Sequence, residues 1–580
     1  MIAHLVDPAV RALSGGVASR LVVSRDPAQA PGADALAHDL TVALAARAPA
    51  LLVVWLSAPA DSSTSVLVRI PDSPECRALA EPTARAVHGA CVDGRPLHAV
   101  VERGPPISGR LSLSSELAAR VCEIEVAVPP VYRDREGTLL PLRLEELRRW
   151  LSGALARIAD AFVATMTPRV RPRPRLGTAT LDPAAQAADR ILCAADDAFD
   201  VLLQLTPANL EAIWRRLVAT RFEEEPEIHY RPLPFDPVVL KRRVFEAPVE
   251  AVEDPWVAEL LRDKQEELSR MLSMLRDRGE AFLHESEQVF GRPDEALLAL
   301  ARRILGATHA ARADEEPLAL EAILERTRAH MLAYREQDPF FPEEIEVRDD
   351  MAAGMMVLHG RLLLRGDLAL TPRRLAALLE HEVGTHVLTW FNGSAQPLRV
   401  LGRGLAGYEA LQEGLAVLAE HLAGALDPTR LRVLAARVVA ASEVSRGASF
   451  LEVFHRLYRE HGLAARAAFQ TTVRARRGGG MTKDLVYLRG LVELVGYVMR
   501  GGALEPLYSG KLALRHLSTV EALVQRGMLA PPRVLPIVLR EPAAQKRLAA
   551  LRLASDPIEV ALAMAGGRAT ERSTPCESAS

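Results

Sequence analysis

Aromatic side chains are scarce in this 580-residue chain, at 4% of its residues, whereas hydrophobic residues of all kinds make up 49%. The cores must therefore be built mainly from Leu, Ala and Val, and the composition favours a globular protein over a disordered one. The chain has no run of about 18 apolar residues without charge, so the sequence predicts no membrane span. Its start lacks a basic segment followed by an apolar core, and no signal peptide is expected.

Cysteine is also sparse, because the five cysteines are scattered and no two have the C-x-x-C spacing. We therefore expect neither a disulfide framework nor a cysteine zinc knuckle, and we expect a cytoplasmic location. An excess of charge of one sign is lacking as well, since 71 Lys and Arg face 74 Asp and Glu, for a formal net charge of −3. This balance argues against nucleic acid or a membrane surface as partners bound through bulk charge.

A segment rich in proline and arginine marks the clearest domain boundary. Three prolines and four arginines between Thr167 and Gly177 cannot continue a helix and should run extended on the surface. An interdomain linker is the interpretation that this composition favours, and a basic docking strip is the alternative. We predict an N-terminal α/β domain of unknown role over 1–166, a linker over 167–178, a larger and mainly helical domain over 179–540, and a C-terminal helix with a disordered tail over 541–580.

The two halves of the chain differ in hydrophobic period. Before the linker, short β-branched or alternating runs predict strands at 51–56, 65–70 and 121–128, followed by a helix over 144–163. Glu123 and Glu125 share one face of the last strand, and we expect that face to be solvated. After the linker, three-four spacing predicts helices over 183–205, 207–218, 254–287 and 294–307. Strand-like runs at 344–348 and 355–365, punctuated by glycines, predict a hairpin or a curved sheet edge.

The most informative segment covers residues 370–393 and predicts a single helix. Thr371 is a good N-cap for it, and apolar residues trace one of its sides. His381, Glu382 and His386 therefore lie in mid-helix beside a buried stripe, where such groups are costly without partners. Zinc is the expected partner, because neutral imidazole and carboxylate are among its usual ligands.

The two histidines are five residues apart rather than the four of H-E-x-x-H. On a regular helix this spacing separates them by about 140°, too far for them to share one ion. A π-type turn would bring them onto one side, and Gly384 between them lowers the steric cost of that distortion. The alternative is a pair of ordinary histidines, one on the helix surface and one in the core.

A second helix-like segment, at 404–421, has a small and apolar interior in which Glu409 and Glu413 are conspicuous. They lie four residues apart and share a helix face. A glutamate from a packed second helix often completes a His-His-Glu metal site, and Glu413 follows His386 by 27 residues, enough for a loop and a return helix. The alternative is a solvated glutamate face.

Two of these motifs together carry a family resemblance. His381-Glu-Val-Gly-Thr-His386 with Gln412-Glu-Gly-Leu-Ala416 resembles the bacterial flavohaemoglobin expression-modulating QEGLA motif proteins. Those proteins are similar to the eukaryotic tubulin tyrosine carboxypeptidases of the microtubule-associated type. The resemblance covers roughly residues 180 to 535 and includes 482–490, which is similar to the family's K-D-x-V-Y-L segment.

The resemblance implies a zinc metallopeptidase with an H-E-x-x-x-H helix, in which zinc lowers the pKa of a bound water. The implied zinc ligands are His381, His386 and Glu413, and the implied general base is Glu382. The expected fold is a mainly α zinc-peptidase domain, α+β with a small edge sheet, preceded by a small α/β domain. The expected activity is that of a carboxypeptidase acting on a peptide or protein C-terminus.

Further residues are candidates for substrate binding. An oxyanion needs a hydrogen-bond donor and a terminal carboxylate needs a cation, although each candidate also has an interpretation as a packed aromatic or a solvated loop residue. The candidates are Tyr408 and Tyr487 for the oxyanion and Arg474, Arg477 and Lys483 for the carboxylate.

Two other functions remain open at the level of sequence. One is a zinc-binding regulatory or scaffold protein without catalysis, and the other is a zinc amidohydrolase acting on a small metabolite. Glu382 favours catalysis, because a purely structural site needs no base beside its ligand. The sequence leaves the substrate and the oligomeric state open.

Overall fold

The structure is a computed structural model of the chain. It describes residues 22–24, 38–39, 41–42, 51–57, 65–72, 74–87, 91–92, 95–104, 111, 113–118, 121–134, 137–166, 180–307, 315–349, 351 and 353–565. The predicted linker at 167–178 and the predicted tail after residue 565 lie outside the described residues. Contacts between residues divide the chain into two compact units, Met1–Ala185 with Val249–Glu259 and Gln186–Pro248 with Leu260–Ser580.

The N-terminal unit contains a five-stranded sheet. Its described strands are β1 (Val22–Ser24), β2 (Leu51–Ser57), β3 (Val66–Ile70), β6 (Ala99–Arg103) and β7 (Val121–Ala127), with β4 (Cys91–Val92) and β5 (Arg95–Pro96) forming a separate pair. The order is β1-β2-β7-β3-β6, and only the β7–β3 pair is antiparallel. Described helices of this part are Pro74–Arg77, Ala80–Val87, Ser115–Ala118 and Pro141–Met166. The last of these helices shares one apolar core with the sheet, through residues such as Leu151 and Ile124.

Two expectations for this unit are wrong. Glu125 does not face solvent: it is 2% exposed, and the hydroxyl of Ser57 donates to its carboxylate at 2.6 Å. β7 lies between β2 and β3, and Ser57 from β2 and Arg69 from β3 both donate to the Glu125 carboxylate. Cys76 and Cys122 form a disulfide, with Cα atoms 6.1 Å apart. The fold joins these cysteines across 46 residues, which local spacing does not reveal.

The remainder of the described chain is mainly helical, so the predicted combination of a small α/β region and a mainly α region is confirmed. Its α-helices are Pro183–Asp196, Val201–Leu205, Leu210–Ala219, Pro237–Phe245, Pro255–Arg276, Glu280–Phe290, Glu295–Gly306, Leu320–Arg335, Pro372–His381, Leu388–Ser394, Val400–Arg403, Glu409–Leu422, Pro428–Ser445, Phe450–His455, Ala465–Arg476, Val486–Met499, Leu517–Gln525, Pro542–Leu553 and Pro557–Met564. Among the described residues, no helix is both long and apolar enough to cross a membrane.

Some helices are shorter in the structure than the spacing of apolar residues in the sequence predicted. The helix predicted over 183–205 is interrupted between Asp196 and Val201, where Asp200 caps a new helix by accepting from Leu203 N. Pro207 does not begin the next helix, which starts at Leu210. At Asp200 a polar capping residue interrupts the apolar stripe, and the stripe alone does not reveal this break.

A three-stranded sheet precedes the HEVGTH segment. Its strands are β8 (Ile345–Arg348), β9 (Met355–Leu358) and β10 (Arg361–Arg365), in the order β8-β10-β9. β9 and β10 form the predicted antiparallel hairpin, and β8 pairs with β10 in parallel. Gly360 at the turn has a φ of 78°, and a Cβ there would lie 2.1 Å from the Trp390 ring. Glycine at this turn therefore seats the hairpin directly on the helix that carries the histidines.

Candidate metal centre

The HEVGTH helix (Pro372–Ser394) contains the predicted π-type turn. Thr371 caps its start by accepting from Arg374 N at 3.2 Å, and regular α-helix gives way to a π-helix over Glu382–Val387. The wider turn brings the rings of His381 and His386 onto one side, with their centroids 5.1 Å apart. In the π turn, residues five apart therefore lie on the same side of the helix, as residues four apart do on a regular α-helix.

Gly384 permits tight packing behind this turn. A Cβ at this position would lie 2.7 Å from Glu380 Oε2 and 3.0 Å from the Tyr334 hydroxyl. Both neighbours are buried, and Tyr334 is further fixed by stacking on Phe341. Glycine therefore lets the widened turn press against the core instead of bulging away from it.

Glu413 of the QEGLA helix (Glu409–Leu422) faces both histidines. Its Oε2 lies 3.5 Å from His381 Nε2 and 3.8 Å from His386 Nε2. One ligand atom from each of the three residues falls within 4.8 Å of the others, and no other group of this kind is found in the described part of the chain. Glu413 Oε2 is buried and accepts no hydrogen bond from a described residue. Two imidazoles and a carboxylate oxygen with a spare acceptor are a donor set that suits a zinc ion.

A glycine contact holds the QEGLA helix against the VYLRG helix (Val486–Met499). A Cβ on Gly414 would lie 2.5 Å from the carbonyl carbon and oxygen of Gly490, and a Cβ on Gly490 would lie 1.7 Å from the carbonyl oxygen of Ala410. The two backbones are therefore closer than any side chain allows. This contact physically joins the two downstream motifs, and it places Tyr487 beside the acid that faces the histidines.

Glu420 supports His381 from the side opposite Glu413. Its Oε1 lies 2.8 Å from His381 Nδ1, it is fully buried, and Arg374 donates to its other oxygen at 3.3 Å. A carboxylate on the far nitrogen fixes the tautomer of a metal-binding histidine and makes it a better ligand. Sequence reasoning missed Glu420. The available signal was its position seven residues after Glu413, which is two helical turns and hence the same face.

Gln412 gives the second histidine a comparable neighbour. It lies beside His386, and it accepts a hydrogen bond of 2.7 Å from the Thr389 hydroxyl. Thr389 also contacts the backbone of the π turn, through the carbonyl of Thr385 at 2.7 Å. The glutamine of the QEGLA motif therefore links the two helices of the site.

The acids and histidines of the centre shift one another's pKa values. Burial lowers the pKa of His381, but the neighbouring carboxylates of Glu413 and Glu420 outweigh this effect and raise that pKa to about 9. Burial lowers the pKa of His386 to about 4. Burial raises the pKa of Glu413, but the neighbouring histidines overcome this effect and lower it to about 2. With these pKa values, an ionised Glu413 faces a protonated His381 and a neutral His386, so the centre favours a positive charge.

Glu382 is buried next to the first histidine without joining the ligand atoms. It is 8% exposed, and burial raises its pKa to about 7, although the charge of His381 opposes the shift. The charges of Glu413 and Arg430 also act on it. The Glu382 carboxylate therefore lies within the electrostatic field of the centre.

Each of the five predicted substrate-binding residues has neighbours of its own in the structure. Arg474 donates to Asp484 at 2.6 Å, and Lys483 Nζ lies 3.4 Å from Glu409 Oε1, so both cations already have acid partners. Tyr487 lies under the guanidinium groups of Arg430 and Arg437. Lys511 Nζ lies 5.8 Å from the centroid of the Tyr408 ring. Arg477 is near Tyr230 and Asp200, whose charges act on it.

The comparison with protein families identifies the chain. A family profile described as microtubule-associated tyrosine carboxypeptidase matches residues 215–555, more than half of the sequence. The chain belongs to the microtubule-associated tyrosine carboxypeptidase family. The match contains His381, His386 and Glu413 and leaves the N-terminal sheet outside, in agreement with the extent of the resemblance seen in the motifs. A comparison with curated proteins finds no match.

Membership in the microtubule-associated tyrosine carboxypeptidase family indicates a carboxypeptidase-like hydrolase. The matched region also contains Glu382, Glu420 and the glycine contact between the QEGLA and VYLRG helices. Every element that builds the candidate metal centre therefore lies within the family's own sequence.

Proposed function

We propose that the chain is a zinc-dependent carboxypeptidase that hydrolyses the last peptide bond of a peptide or protein. The observation that carries this proposal is the convergence of His381, His386 and Glu413 Oε2, an oxygen without a hydrogen-bond partner among the described residues. Family membership adds the reaction class. The family's description makes a C-terminal tyrosine the first substrate to try.

His381, His386 and Glu413 would hold the zinc ion, with Glu420 orienting His381. When bound, zinc supplies Lewis-acid activation of a water molecule and of the scissile carbonyl. Glu382 takes the proton of the attacking water as the oxygen bonds to the carbonyl carbon, and it passes that proton to the leaving amine as the C–N bond breaks. The products are the shortened peptide and a free amino acid.

The proposal assigns parts of the substrate to a strand, to two tyrosines and to a group of cations. β9 is one of the two edge strands of the small sheet and packs against the π turn, and it is proposed to pair with an extended peptide. Tyr487, whose phenol lies in the field of Glu413, and Tyr408 at the start of the QEGLA helix are the donors proposed for the oxyanion. The terminal carboxylate is assigned to the predicted cations Arg474, Arg477 and Lys483, of which Arg474 and Lys483 also pair with Asp484 and Glu409.

Glu382→Gln tests the proposal, because it keeps size and hydrogen-bonding capacity but removes the base. The variant should bind zinc and unfold as the unaltered protein does, while its hydrolytic rate falls by about 10²–10⁴-fold. The measurement is release of the C-terminal residue from a peptide library that includes peptides ending in tyrosine, read by mass spectrometry with zinc-loaded protein.

Glu346→Gln is the matched control, since Glu346 is a partly exposed acid of β8 that pairs with surface arginines. It should hydrolyse peptides at the original rate. Turnover by Glu382→Gln at the rate of the unaltered protein would contradict the assigned role of the base. Zinc binding without any peptide hydrolysis would favour the regulatory alternative instead.

A further inference from the structure

Two arginines from distant parts of the chain meet where two glycine-containing segments touch. Gly279 N donates to the carbonyl oxygen of Gly478 at 2.7 Å. Arg278 directly precedes Gly279, and Arg477 directly precedes Gly478. Gly478 has a φ of 66°, and a Cβ there would lie 2.3 Å from the Phe282 ring, so this close approach requires glycine. The contact between the two backbones therefore brings two cations to one place.

Tyr230 lies against both arginines. The Cζ of Arg278 is 5.3 Å from the centroid of the Tyr230 ring, and the Tyr230 hydroxyl accepts from Gly478 N at 2.8 Å. Burial raises the pKa of this phenol, although the charges of Arg278, Arg477 and Arg476 oppose the shift. The hydroxyl is therefore neutral and keeps its own proton to donate. One hydroxyl donor thus lies beside three positive charges.

The guanidinium group of Arg278 is held with one edge unused. Its Nη1 donates to the carbonyl of Arg231 at 3.2 Å, and stacking on Tyr230 fixes its plane. Its Nε and Nη2 are buried and donate no hydrogen bond to a described residue. These two nitrogens form the edge with which an arginine binds two oxygens in parallel. Arg403 uses the same two nitrogens to bind Asp197, at 3.0 and 2.9 Å.

The second arginine is unsatisfied as well. Arg477 Nε is buried without an acceptor in the described part of the chain, and burial together with the charge of Arg474 lowers its pKa to about 10. Burial also lowers the pKa of Arg278, where the opposing charge comes from the phenol of Tyr230 and not from an acid. Buried guanidinium groups are costly unless they are paired and hydrogen-bonded. An anion between these two arginines would offset that cost.

The number and kind of the donors indicate the class of anion. Arg278 offers two nitrogens on one edge, Arg477 offers its Nε, and Tyr230 offers its hydroxyl. A carboxylate has two oxygens, and one guanidinium edge already occupies both. A phosphate-type anion has further oxygens for the other two donors, and its double negative charge matches two guanidinium groups. All three side chains are partly exposed, so the cluster lies at the surface of the helical unit.

We propose that Arg278, Arg477 and Tyr230 bind a phosphate-type oxyanion, either inorganic phosphate or the phosphoryl group of a small metabolite. Arg278 supplies the bidentate edge, Arg477 the second cation, and Tyr230 a neutral donor. The site uses neither the metal ligands nor Glu382, so it does not depend on the proposed hydrolysis. Arg477 is also among the cations assigned to the substrate, and the tests therefore change Arg278 and Tyr230.

Calorimetric titration of the full chain with inorganic phosphate is the direct test, with acetate at equal ionic strength as the reference anion. Phosphate should bind, and acetate should bind at least roughly 10-fold more weakly. Arg278→Met should weaken phosphate binding by at least roughly 10-fold, the value of a charge-assisted bond. Arg278→Lys should recover only part of this loss, because lysine keeps the charge but lacks the edge.

Two further variants complete the series. Tyr230→Phe keeps the ring beneath Arg278 and removes one donor, so it should weaken phosphate binding by about 2–10-fold. It carries the test if Arg278→Met does not fold. Arg243→Met, a change at an exposed arginine of the helix Pro237–Phe245, is the control and should bind phosphate as the unaltered chain does.

Phosphate oxygens also bind metal ions, so the titration is repeated on His386→Ala. Phosphate binding that persists in this variant and is lost in Arg278→Met belongs to the arginine site. Binding that is lost in His386→Ala and kept in Arg278→Met would overturn the inference. Equal affinity for phosphate and acetate would overturn the assignment to a phosphate-type anion.

Thermal unfolding gives a second measurement of the same site. A ligand that binds the folded chain raises its thermal midpoint, so the midpoint should rise with phosphate in the unaltered chain and stay constant in Arg278→Met. No rise in the unaltered chain, or an equal rise in both, would overturn the inference. Glucose 6-phosphate distinguishes the two sources: binding at least as tight as that of phosphate supports a phosphorylated metabolite, and weaker binding supports free phosphate.

Discussion

The two compact units each bury a glutamate, but they satisfy it differently. In the N-terminal sheet, Ser57 donates to Glu125 at 2.6 Å and Arg69 lies 3.4 Å from its other oxygen, so the chain itself supplies the partners. In the helical unit, Glu413 faces two histidines and keeps a buried oxygen without a hydrogen bond among the described residues. A buried acid is therefore no sign of chemistry by itself. The informative feature is a buried acid whose own chain leaves an acceptor unused.

The two acids are also positioned by different structural means. Glu125 owes its place to strand register, because it lies opposite Trp55 on β2 and opposite Arg69 on β3. Glu413 owes its place to a helix crossing, at which Gly414 and Gly490 allow backbone contact. Strand register is set by many hydrogen bonds, whereas the close crossing of the two helices depends on two glycines. The metal centre should therefore respond to single substitutions that the sheet would tolerate.

The largest effect is expected for Gly490→Ala. The added methyl would lie 1.7 Å from the carbonyl oxygen of Ala410, so the helices must separate. We expect a loss of roughly 3 kcal/mol or more in the free energy of unfolding, as for severe overpacking, together with loss of metal. Chemical denaturation and metal analysis measure the two effects.

Gly496→Ala on the same helix is the control for that substitution. Its added methyl would meet only the flexible end of Arg500 at 3.3 Å and Pro557 at 3.8 Å. Alanine is favoured over glycine within a helix by about 1 kcal/mol, so this variant should be as stable as the original or more so. Equal stability of the Gly490 and Gly496 variants would show that the helix contact does not position the site.

A smaller effect is expected for Glu420→Gln, which weakens the bond to His381 Nδ1. Loss of a carboxylate that orients a metal ligand lowers metal affinity by about 10–100-fold, or about 1.4–2.7 kcal/mol. A competition titration with a zinc chelator measures this change. Unchanged affinity would indicate that His381 is oriented by packing alone.

The smallest effect is expected for Glu125→Gln in the sheet. The amide oxygen still accepts from Ser57, but the charge that faces Arg69 is lost. We expect a loss of about 0.5–1.5 kcal/mol in stability, the value of one ordinary hydrogen bond, because the bond from Ser57 is kept. Metal affinity should stay the same, and a change in it would mean that the two acids are coupled.

Local patterns in the sequence predicted the local features of the site. The five-residue spacing of His381 and His386, with Gly384 between them, indicated a π turn because only that turn brings the two rings together. The β9–β10 hairpin followed from glycine punctuation. The choice of Glu413 as third ligand remains a prediction, and the distances around it are those that the prediction requires.

Features that depend on packing could not be predicted in the same way. Glu420, Arg437 and the Cys76–Cys122 disulfide acquire their partners only when distant segments meet, and one sequence holds no signal for which segments meet. The burial of Glu125 depends on the sheet order, which places β7 between β2 and β3. Alternation along a strand does not reveal whether its polar face will be covered.

The metal content of histidine variants tests the central claim most directly. Purified full-length protein is loaded with zinc, dialysed, and measured by mass spectrometry of the metal against protein concentration. The account predicts stoichiometric zinc in the unaltered chain and in Glu382→Gln, and little zinc in His381→Ala and in His386→Ala, because each of these loses one of three ligands. Stoichiometric zinc in both histidine variants would contradict it.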